Sequence, residues 1–313
     1  MTAKKQTSSG EKPTRTSYST KLNDAQITLL KEVCEAKGWP SKEVPYAVVA
    51  FAGPKVNVTA YQSGKCLVQG KGTEDFVIDI LEPQITGEAV YGYDEVLHPE
   101  WYEAHAGLDE SGKGDLFGPL VSAAVSASPE AIRKWVDAGI KDSKTISAAG
   151  ILRLDKIIRK TKASAFHLVA CSMPKYNELM GKPGANLNKL LAWQHARAVE
   201  KVLEKKWVPW GMLDQFSKRP LTQQYFRGKD FDLRMMTKAE ADPVVAAASV
   251  LARAEFVRRL NDLEKIAGEP LRKGAGPLVK EQGLTIARRI GPDRFGEIAK
   301  LHFKTAHEIL AAL

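Results

Sequence analysis

Two spacings of apolar residues alternate over the first part of the chain. Apolar side chains recur every three or four residues after Asn23, a residue type that caps helices, and Gly38 ends this helical run. Three short segments with alternating apolar residues follow, separated by turn residues, at 46–53, 55–64 and 65–70. A second helix is predicted from Thr73 to Leu81, ending before Pro83. Residues 22–84 are therefore predicted to form a small α+β domain.

From residue 105 onwards, predicted strands alternate with longer predicted helices. The strands are expected around 107–111, 118–128, 166–173 and 211–216, and the helices around 129–138, 147–161, 187–206 and 243–267. This alternation is typical of α/β proteins, in which helices cover the faces of a central sheet. We predict one such domain over residues 105–313.

The remaining segments carry few apolar residues. Residues 1–21 are rich in Lys, Thr and Ser, so they are predicted to be a disordered basic tail. Residues 85–104 mix Gly, Pro and charged residues and are predicted to be a linker. The tail has no apolar core segment of the kind that a secretory signal needs, and no apolar run is long enough to span a bilayer.

Composition narrows the class of protein. The hydrophobic share is 44% and the charged share 27%, as in globular proteins. The three cysteines form no CxxC pair, which argues against a zinc site and favours the reducing cytoplasm. The net charge of +9 would attract polyanions, nucleic acid above all. No membrane association is expected.

The segment GLDESGKGD (107–115) carries the candidate chemistry. It fits the start of a phosphate-binding P-loop, but Gly114 stands where that motif needs Ser or Thr. Asp109 and Glu110 would also repel a triphosphate. The two acids are more informative as metal ligands at a strand end, although neighbours on a strand face opposite ways and make a poor chelate alone. Other acids must therefore converge on them.

Asp214 and Glu240 are the candidates, because each adjoins a strongly apolar element where an unpaired carboxylate is costly. Asp242 competes with Glu240, and the sequence leaves that choice open. Clustered carboxylates need cations, and hard oxygen ligands suit Mg²⁺ or Mn²⁺. Two such ions could activate water and stabilise a leaving oxygen in phosphodiester hydrolysis.

Five ordered motifs resemble those of the type 2 ribonucleases H. DESGKGDLFGPLVSAA (109–124) resembles the family signature, and its Gly112-Lys113-Gly114 is similar to the ribonuclease HIII form. The others are KDSK (141–144), NLNKLLAW (186–193), DQF (214–216) and AEADPVVAAASVLAR (239–253). The N-terminal domain, with VTAYQSGKCLVQG (58–70), resembles the TATA-binding-protein-like domain of ribonuclease HIII.

The resemblance implies a ribonuclease H-like mixed sheet with flanking helices. It implies a monomeric endonuclease that cleaves the RNA strand of RNA/DNA hybrids and leaves 5′-phosphate and 3′-hydroxyl ends. It assigns the metal and catalytic roles to Asp109, Glu110, Asp214 and Glu240. A hybrid-binding module with structural acids is the alternative class, although a pure binder would avoid a carboxylate cluster facing phosphates.

Substrate contacts are expected in both domains. In the catalytic domain the candidates are Ser111, Gly112, Lys113, Gly114, Lys144 and Asn188. Asn188, like Asn186, could instead cap the long helix, and His195 is interpreted as structural. In the N-terminal domain, Lys55, Tyr61 and Lys65 could hold the hybrid through its phosphates and sugars without reading sequence.

Overall fold

Two units, residues 1–100 and 101–313, divide the chain, and each has its own hydrophobic core. The structure is a computed structural model and describes residues 16–140, 146–217 and 219–313. No helix within these ranges is both long enough and apolar enough to cross a bilayer.

The first unit is built on a four-stranded antiparallel sheet of order β1-β4-β3-β2. The strands are β1 Ser17–Lys21, β2 Ala47–Gly53, β3 Val56–Tyr61 and β4 Lys65–Gln69. Alternate residues of β3 and β4 are buried, so one face of the sheet packs and the other is polar and accessible. The predicted meander of β2, β3 and β4 is confirmed.

Helix α1 (Asp24–Ala36) covers the buried face. Asn23 caps it as predicted: its side chain accepts from Gln26 N–H, and the Gln26 side chain accepts from Asn23 N–H. Helix α2 (Thr73–Phe76) continues as a π-helical segment, Val77–Thr86, which contains Pro83. The prediction that this helix ends before Pro83 was wrong. The π-helical segment continues past Pro83, although proline has no backbone N–H to donate. It ends at Gly87, whose N–H donates to Glu82 O.

Both boundaries of the predicted domain lie elsewhere. Residues 17–21, assigned to the disordered tail, form β1, because the free edge of β4 supplies hydrogen-bond partners from Lys65 to Gln69. The rest of that tail, residues 1–15, lies outside the described residues. Several residues of the predicted linker are buried in the two units. Tyr91 packs into the first core, whereas Trp101 and Tyr102 are buried in the second. Short helical turns, α3 (Asp94–Leu97) and Pro99–Tyr102, lie between.

The second unit is a mixed five-stranded sheet of order β7-β6-β5-β8-β9. The strands are β5 His105–Ser111, β6 Val121–Ala127, β7 Ser164–Ala170, β8 Trp210–Asp214 and β9 Asp232–Met236. β5, β8 and β9 run parallel, whereas β6 and β7 run antiparallel to their neighbours. The mixed sheet predicted from the sequence is confirmed, although β9 was not foreseen.

Helices flank this sheet on both faces. They are α4 Pro129–Asp137, α5 Ala148–Lys160, α6 Met173–Met180, α7 Leu187–Lys205, α8 Pro243–Ala267, α9 Pro277–Ile290, α10 Pro292–Phe295 and α11 Lys304–Leu310. Residues of β5 pack with α7 in one core cluster. On the other face α8 crosses β5 so closely that a Cβ on Gly107 would lie 2.3 Å from Val244 C. Gly107 is therefore the residue that lets the N-terminal end of α8 approach the strand.

Candidate active site

Two predicted acids lie side by side at the ends of neighbouring strands. β5 and β8 are parallel and in register through Leu108 and Leu213, so Asp109 and Asp214 follow directly at the same edge of the sheet. Neighbouring strands are about 4.8 Å apart, which brings the two carboxylates within reach of one ligand. Both side chains are partly exposed.

The third acid, Glu110, points to the opposite face of β5, because successive side chains on a strand alternate. There it meets His195 of α7, whose Nε2 lies 3.1 Å from Glu110 Oε2. Lys113 Nζ lies 3.7 Å from the other carboxylate oxygen. The expectation that Asp109 and Glu110 do not chelate as an isolated pair is consistent with this arrangement.

These contacts set the charge of Glu110. Burial by itself would raise the pKa of this carboxyl group, but the His195 hydrogen bond and the charges of His195 and Lys113 hold the pKa below its ordinary value. Glu110 is thus kept as a carboxylate although little of it is exposed.

The fourth acid, Glu240, stands in the turn that precedes α8. This turn, Ala239–Ala241, lies against the end of β8, where Ala239 N–H donates to Asp214 Oδ1 at 3.3 Å. Glu240 is therefore one residue from a backbone group that contacts Asp214.

Asp242, the competing candidate, has a different set of partners. It is fully buried and caps α8 by accepting from the N–H groups of Val244 and Val245. Its Oδ2 also lies 2.9 Å from His105 Nε2. The carboxylate of Asp242 is thus enclosed by the helix start and the histidine, which favours Glu240 as the candidate for the fourth ligand.

The donor set is suited in kind to a hard divalent cation, because all four side chains offer carboxylate oxygens. Asp109 and Asp214 are the two that already share one face and one edge. In the described part of the chain, however, no three His, Cys, Asp or Glu side chains are grouped closely enough to enclose a metal ion.

Comparison with known proteins identifies the family. The model of the ribonuclease HII family matches residues 106–306, and residues 17–87 match a domain of unknown function, DUF3378. Ribonuclease HIII of Chlamydia felis is 37% identical over 94% of this chain and 97% of that protein. Ribonuclease HIII of Chlamydia muridarum is 38% identical over 95% of this chain and 98% of that protein.

The chain belongs to the ribonuclease HIII family of ribonucleases H. Solved structures agree with this assignment. Bst-RNase HIII in complex with Mn²⁺ superposes with a TM-score of 0.62 at 30% identity, covering 95% of this chain and 98% of that one. RNase H3 of Aquifex aeolicus gives a TM-score of 0.55 at 26% identity, covering 92% and 100%. The α/β fold and the small N-terminal domain predicted from the sequence are those of this family.

Gly112 and Gly114, the two glycines of the loop after β5, lie in different surroundings. Gly112 is buried with φ +88°, and a Cβ there would lie 2.2 Å from Pro119 O and 2.8 Å from the Phe256 ring. Gly114 is exposed, and a Cβ there would meet nothing within 4 Å. In this loop, internal packing therefore requires a glycine at position 112. Gly114 is the one of the two that leaves open space for a ligand.

The other predicted substrate residues of the catalytic unit are only partly accounted for. Ser111 is half-buried at the end of β5. Lys144 lies outside the described residues. Asn186 caps α7 by accepting from Lys189 N–H at 3.1 Å, and Asn188 lies in the first turn, half-buried. The capping role left open for the two asparagines thus belongs to Asn186.

In the N-terminal unit the structure separates the predicted contacts. Tyr61 ends β3 and Lys65 begins β4, so both lie beside the same turn. Lys55 precedes β3, at its opposite end, about 20 Å away at the usual rise per residue. Tyr61 and Lys65 belong to the accessible polar face, with Asn57, Thr59, Leu67 and Gln69.

Two residues near Glu110 were not among the site residues predicted from the sequence. His195 was interpreted as structural, yet it contacts Glu110 from α7. Phe216 stacks against His195 at 5.8 Å between ring centroids, and Lys113 Nζ lies 5.2 Å from the same ring. A signal existed for Phe216, since it belongs to the DQF motif, but its partners are distant in sequence.

Proposed function

We propose that this protein is an endonuclease that hydrolyses the RNA strand of RNA/DNA hybrids, using two divalent ions, Mg²⁺ or Mn²⁺, and leaving 5′-phosphate and 3′-hydroxyl ends. The observation that carries the proposal is the pair Asp109 and Asp214 at one edge of parallel strands in a ribonuclease HIII chain. The Mn²⁺ complex of Bst-RNase HIII supports the choice of a divalent ion.

Asp109 and Asp214 would hold the divalent ions, and Glu110 and Glu240 would supply the remaining carboxylate ligands. When bound, divalent ions supply Lewis acidity and lower the pKa of a water that attacks the phosphodiester. The lowered pKa of Glu110 keeps this donor ionised and ready to bind a cation. His195 holds its carboxylate in a fixed orientation from the opposite face of the strand.

The loop Gly112–Gly114 would lie against the RNA strand. The 2′-hydroxyl distinguishes RNA from DNA, and its recognition requires close hydrogen-bonding contact. Gly114 offers that approach because its open side carries no side chain. Lys113 adds a cation on the same loop, with its side chain about one-third exposed at 35%, suited to a neighbouring phosphate.

The accessible face of the N-terminal sheet would bind the hybrid backbone. Lys21 and Lys65 are paired neighbours on β1 and β4, and Tyr61 presents a ring at the same end of the sheet. Cations and polar groups on a flat sheet bind phosphates and sugars without reading bases. Lys55, at the far end of β3, would be a peripheral contact.

We further propose that the protein acts as a monomer in a reducing cytoplasm. The free thiols support the redox part of this proposal: Cys34, Cys66 and Cys171 are all unpaired, and burial raises the pKa of the Cys66 thiol to about 12. Such thiols remain protonated and unreactive.

The test is cleavage of a hybrid labelled on its RNA strand, compared with duplex DNA and duplex RNA, with Mg²⁺, Mn²⁺ or a chelator. Asp109→Asn should lower the cleavage rate by at least about 100-fold, because a neutral amide is a poor metal ligand and stabilises no cationic centre. Hybrid binding, measured by gel shift in Ca²⁺, should largely survive. The product ends are read by phosphatase-dependent relabelling.

The matched control is Asp232→Asn. Asp232 begins β9 next to β8, its side chain is exposed, and within the described residues its carboxylate pairs with Arg234. This variant should keep the wild-type rate. Hybrid cleavage that persists in folded Asp109→Asn, or in the presence of excess chelator, would contradict the proposed site.

A further inference from the structure

A lysine buried near the end of the chain supports the loop that carries Gly112–Gly114. Lys300 is fully buried, and within the described residues no carboxylate forms an ion pair with its ammonium. Its Nζ donates to Asp115 O at 2.7 Å and to Gly118 O. The side chain thus joins the two ends of a four-residue segment, Asp115–Gly118, that directly follows Gly114.

The backbone around Lys300 also forms hydrogen bonds with the same segment. Lys300 N–H donates to Leu116 O at 2.9 Å, and Gly118 N–H donates to Ile298 O at 3.0 Å. The Asp115–Gly118 segment is therefore held by four hydrogen bonds from residues 298–300, two of them through one ammonium group.

A rigid frame positions Lys300 itself. The Asn177 side chain on α6 donates to Gly296 O and Ala299 O, and accepts from Leu301 N–H at 3.0 Å. The ammonium also lies 5.7 Å from the Tyr176 ring centroid and 5.8 Å from that of Phe303. Both distances fall within the range of cation–π attraction.

This arrangement is costly, which argues that it serves a purpose. Burial lowers the pKa of Lys300 to about 7, opposed by the charge of Asp115. A buried cation without a counter-ion is unfavourable compared with an apolar side chain of similar volume. Its partners are loop carbonyls, so the benefit lies in the conformation of that loop.

We propose that Lys300 is a positioning residue that fixes the loop from Gly112 to Gly118 in the conformation that receives the RNA strand. The path from the ammonium to the glycines is short. Asp115, whose carbonyl accepts from Lys300, donates its own N–H to Gly112 O at 3.4 Å. Its carboxylate also accepts from Gly274 N–H. Displacing Asp115 would therefore move both ends of the Gly112–Gly114 turn.

The metal-binding acids stand apart from this support. Asp109 and Asp214 are fixed by the strand register, and Glu110 by His195. The inference rests on the proposed function, because it assumes that the Gly112–Gly114 loop contacts substrate. It predicts a separation of effects: substrate affinity depends on Lys300, whereas the chemical step does not.

The test compares the full-length Lys300→Met and Lys300→Arg variants with wild type. Methionine keeps the length and removes every donor, so the Michaelis constant for hybrid should rise about 3- to 10-fold while kcat stays within about 2-fold. Arginine keeps a cationic donor and should recover part of the affinity. Hydrogen exchange of the peptide covering residues 112–120, measured without substrate, should increase in Lys300→Met.

Arg258→Met is the matched control for lost stability. Arg258 bonds the buried carboxylate of Asp155 between α8 and α5. It lies two positions after Phe256 on the helix, so its side chain faces away from the ring that contacts Gly112. This variant should lower the melting temperature but leave the Michaelis constant and the exchange of residues 112–120 unchanged.

The outcomes separate the two hypotheses. Unchanged loop exchange in Lys300→Met, or increased exchange with an unchanged Michaelis constant, overturns the positioning role. A fall in kcat alone overturns it too, since the loop would then act on the chemistry. If wild-type protein fails to cleave hybrid, the proposed function fails, and the exchange measurement still decides whether Lys300 fixes the loop.

Discussion

Replacement of Gly112 by alanine tests whether this glycine serves packing or substrate. Its φ of +88° lies in the left-handed region, and the added Cβ would lie 2.2 Å from Pro119 O. It would also lie 2.8 Å from the Phe256 ring, which α8 holds in the main core. Neither neighbour is a flexible side-chain end, so the backbone of the loop must shift.

The cost can be worked out from these two effects. A non-glycine residue at positive φ costs about 1–2 kcal/mol, and forcing a methyl group into a packed site costs about 1–3 kcal/mol. Together they amount to about 3 kcal/mol. For a unit of this size each kcal/mol lowers the melting temperature by about 2–4 °C, so we expect a decrease of about 6–12 °C.

Gly114→Ala is the natural comparison, two residues along the same loop. Its Cβ would enter open space and its φ is not in the left-handed region. The melting temperature should therefore stay within about 1–2 °C of wild type. If this glycine gives the RNA strand room, the Michaelis constant for hybrid should rise while binding of metal is unchanged.

The assay is thermal unfolding followed by circular dichroism, paired with steady-state cleavage of a labelled hybrid. The reasoning about Gly112 fails if the melting temperature of Gly112→Ala equals that of the wild type. The reasoning about Gly114 fails if Gly114→Ala cleaves the hybrid with unchanged kinetic constants. Reversed effects, with Gly114→Ala unstable and Gly112→Ala stable but inactive, would refute both.

Three further predictions follow from the structure. Asp242→Ala removes the cap of α8 and the partner of His105, so the free energy of unfolding in denaturant should fall by about 2–4 kcal/mol; an unchanged midpoint would contradict the pairing. Deletion of residues 1–100 leaves the buried Trp101 in place. It should raise the Michaelis constant for hybrid and flatten the salt dependence of binding, with kcat little changed. Equally tight binding across a salt titration would argue against a substrate role for the N-terminal unit. Because the pKa of Lys300 is about 7 when folded and 10.5 when unfolded, the unfolded state binds more protons between these values. Stability from this group should rise with pH in that window, by at most about 1.4 kcal/mol per pH unit, and Lys300→Met should abolish this slope in pH-dependent denaturation.

Local patterns were enough for elements whose residues interact within a few positions. The cap at Asn23 and the apolar spacing of α1 lie within one short segment, and so does the long apolar run of α8. The alternation in β3 and β4 likewise records one buried and one accessible face. Asp214 and Glu240 were singled out as candidates, beside Asp109 and Glu110, because an unpaired carboxylate next to an apolar element is costly.

Elements that depend on a distant partner were not foreseen. β1 is polar and forms because β4 presents an unpaired edge. The π-helical segment passes Pro83, which by local rules should end a helix. Tyr91 and Trp101 sit in a polar stretch that suggested a linker, and their burial depends on two different cores.

The sequence by itself indicated four candidate acids, a glycine-rich loop and an α/β fold, because each signal is carried by a short stretch of neighbouring residues. Only the tertiary structure decided where these residues lie relative to one another. The register of β5 with β8 aligned Asp109 with Asp214, and the close crossing of α8 over Gly107 enclosed Asp242 beside His105. The support of the loop by Lys300 joins residues 182 positions apart. Such contacts arise from chain topology, and no local pattern of residues carries them.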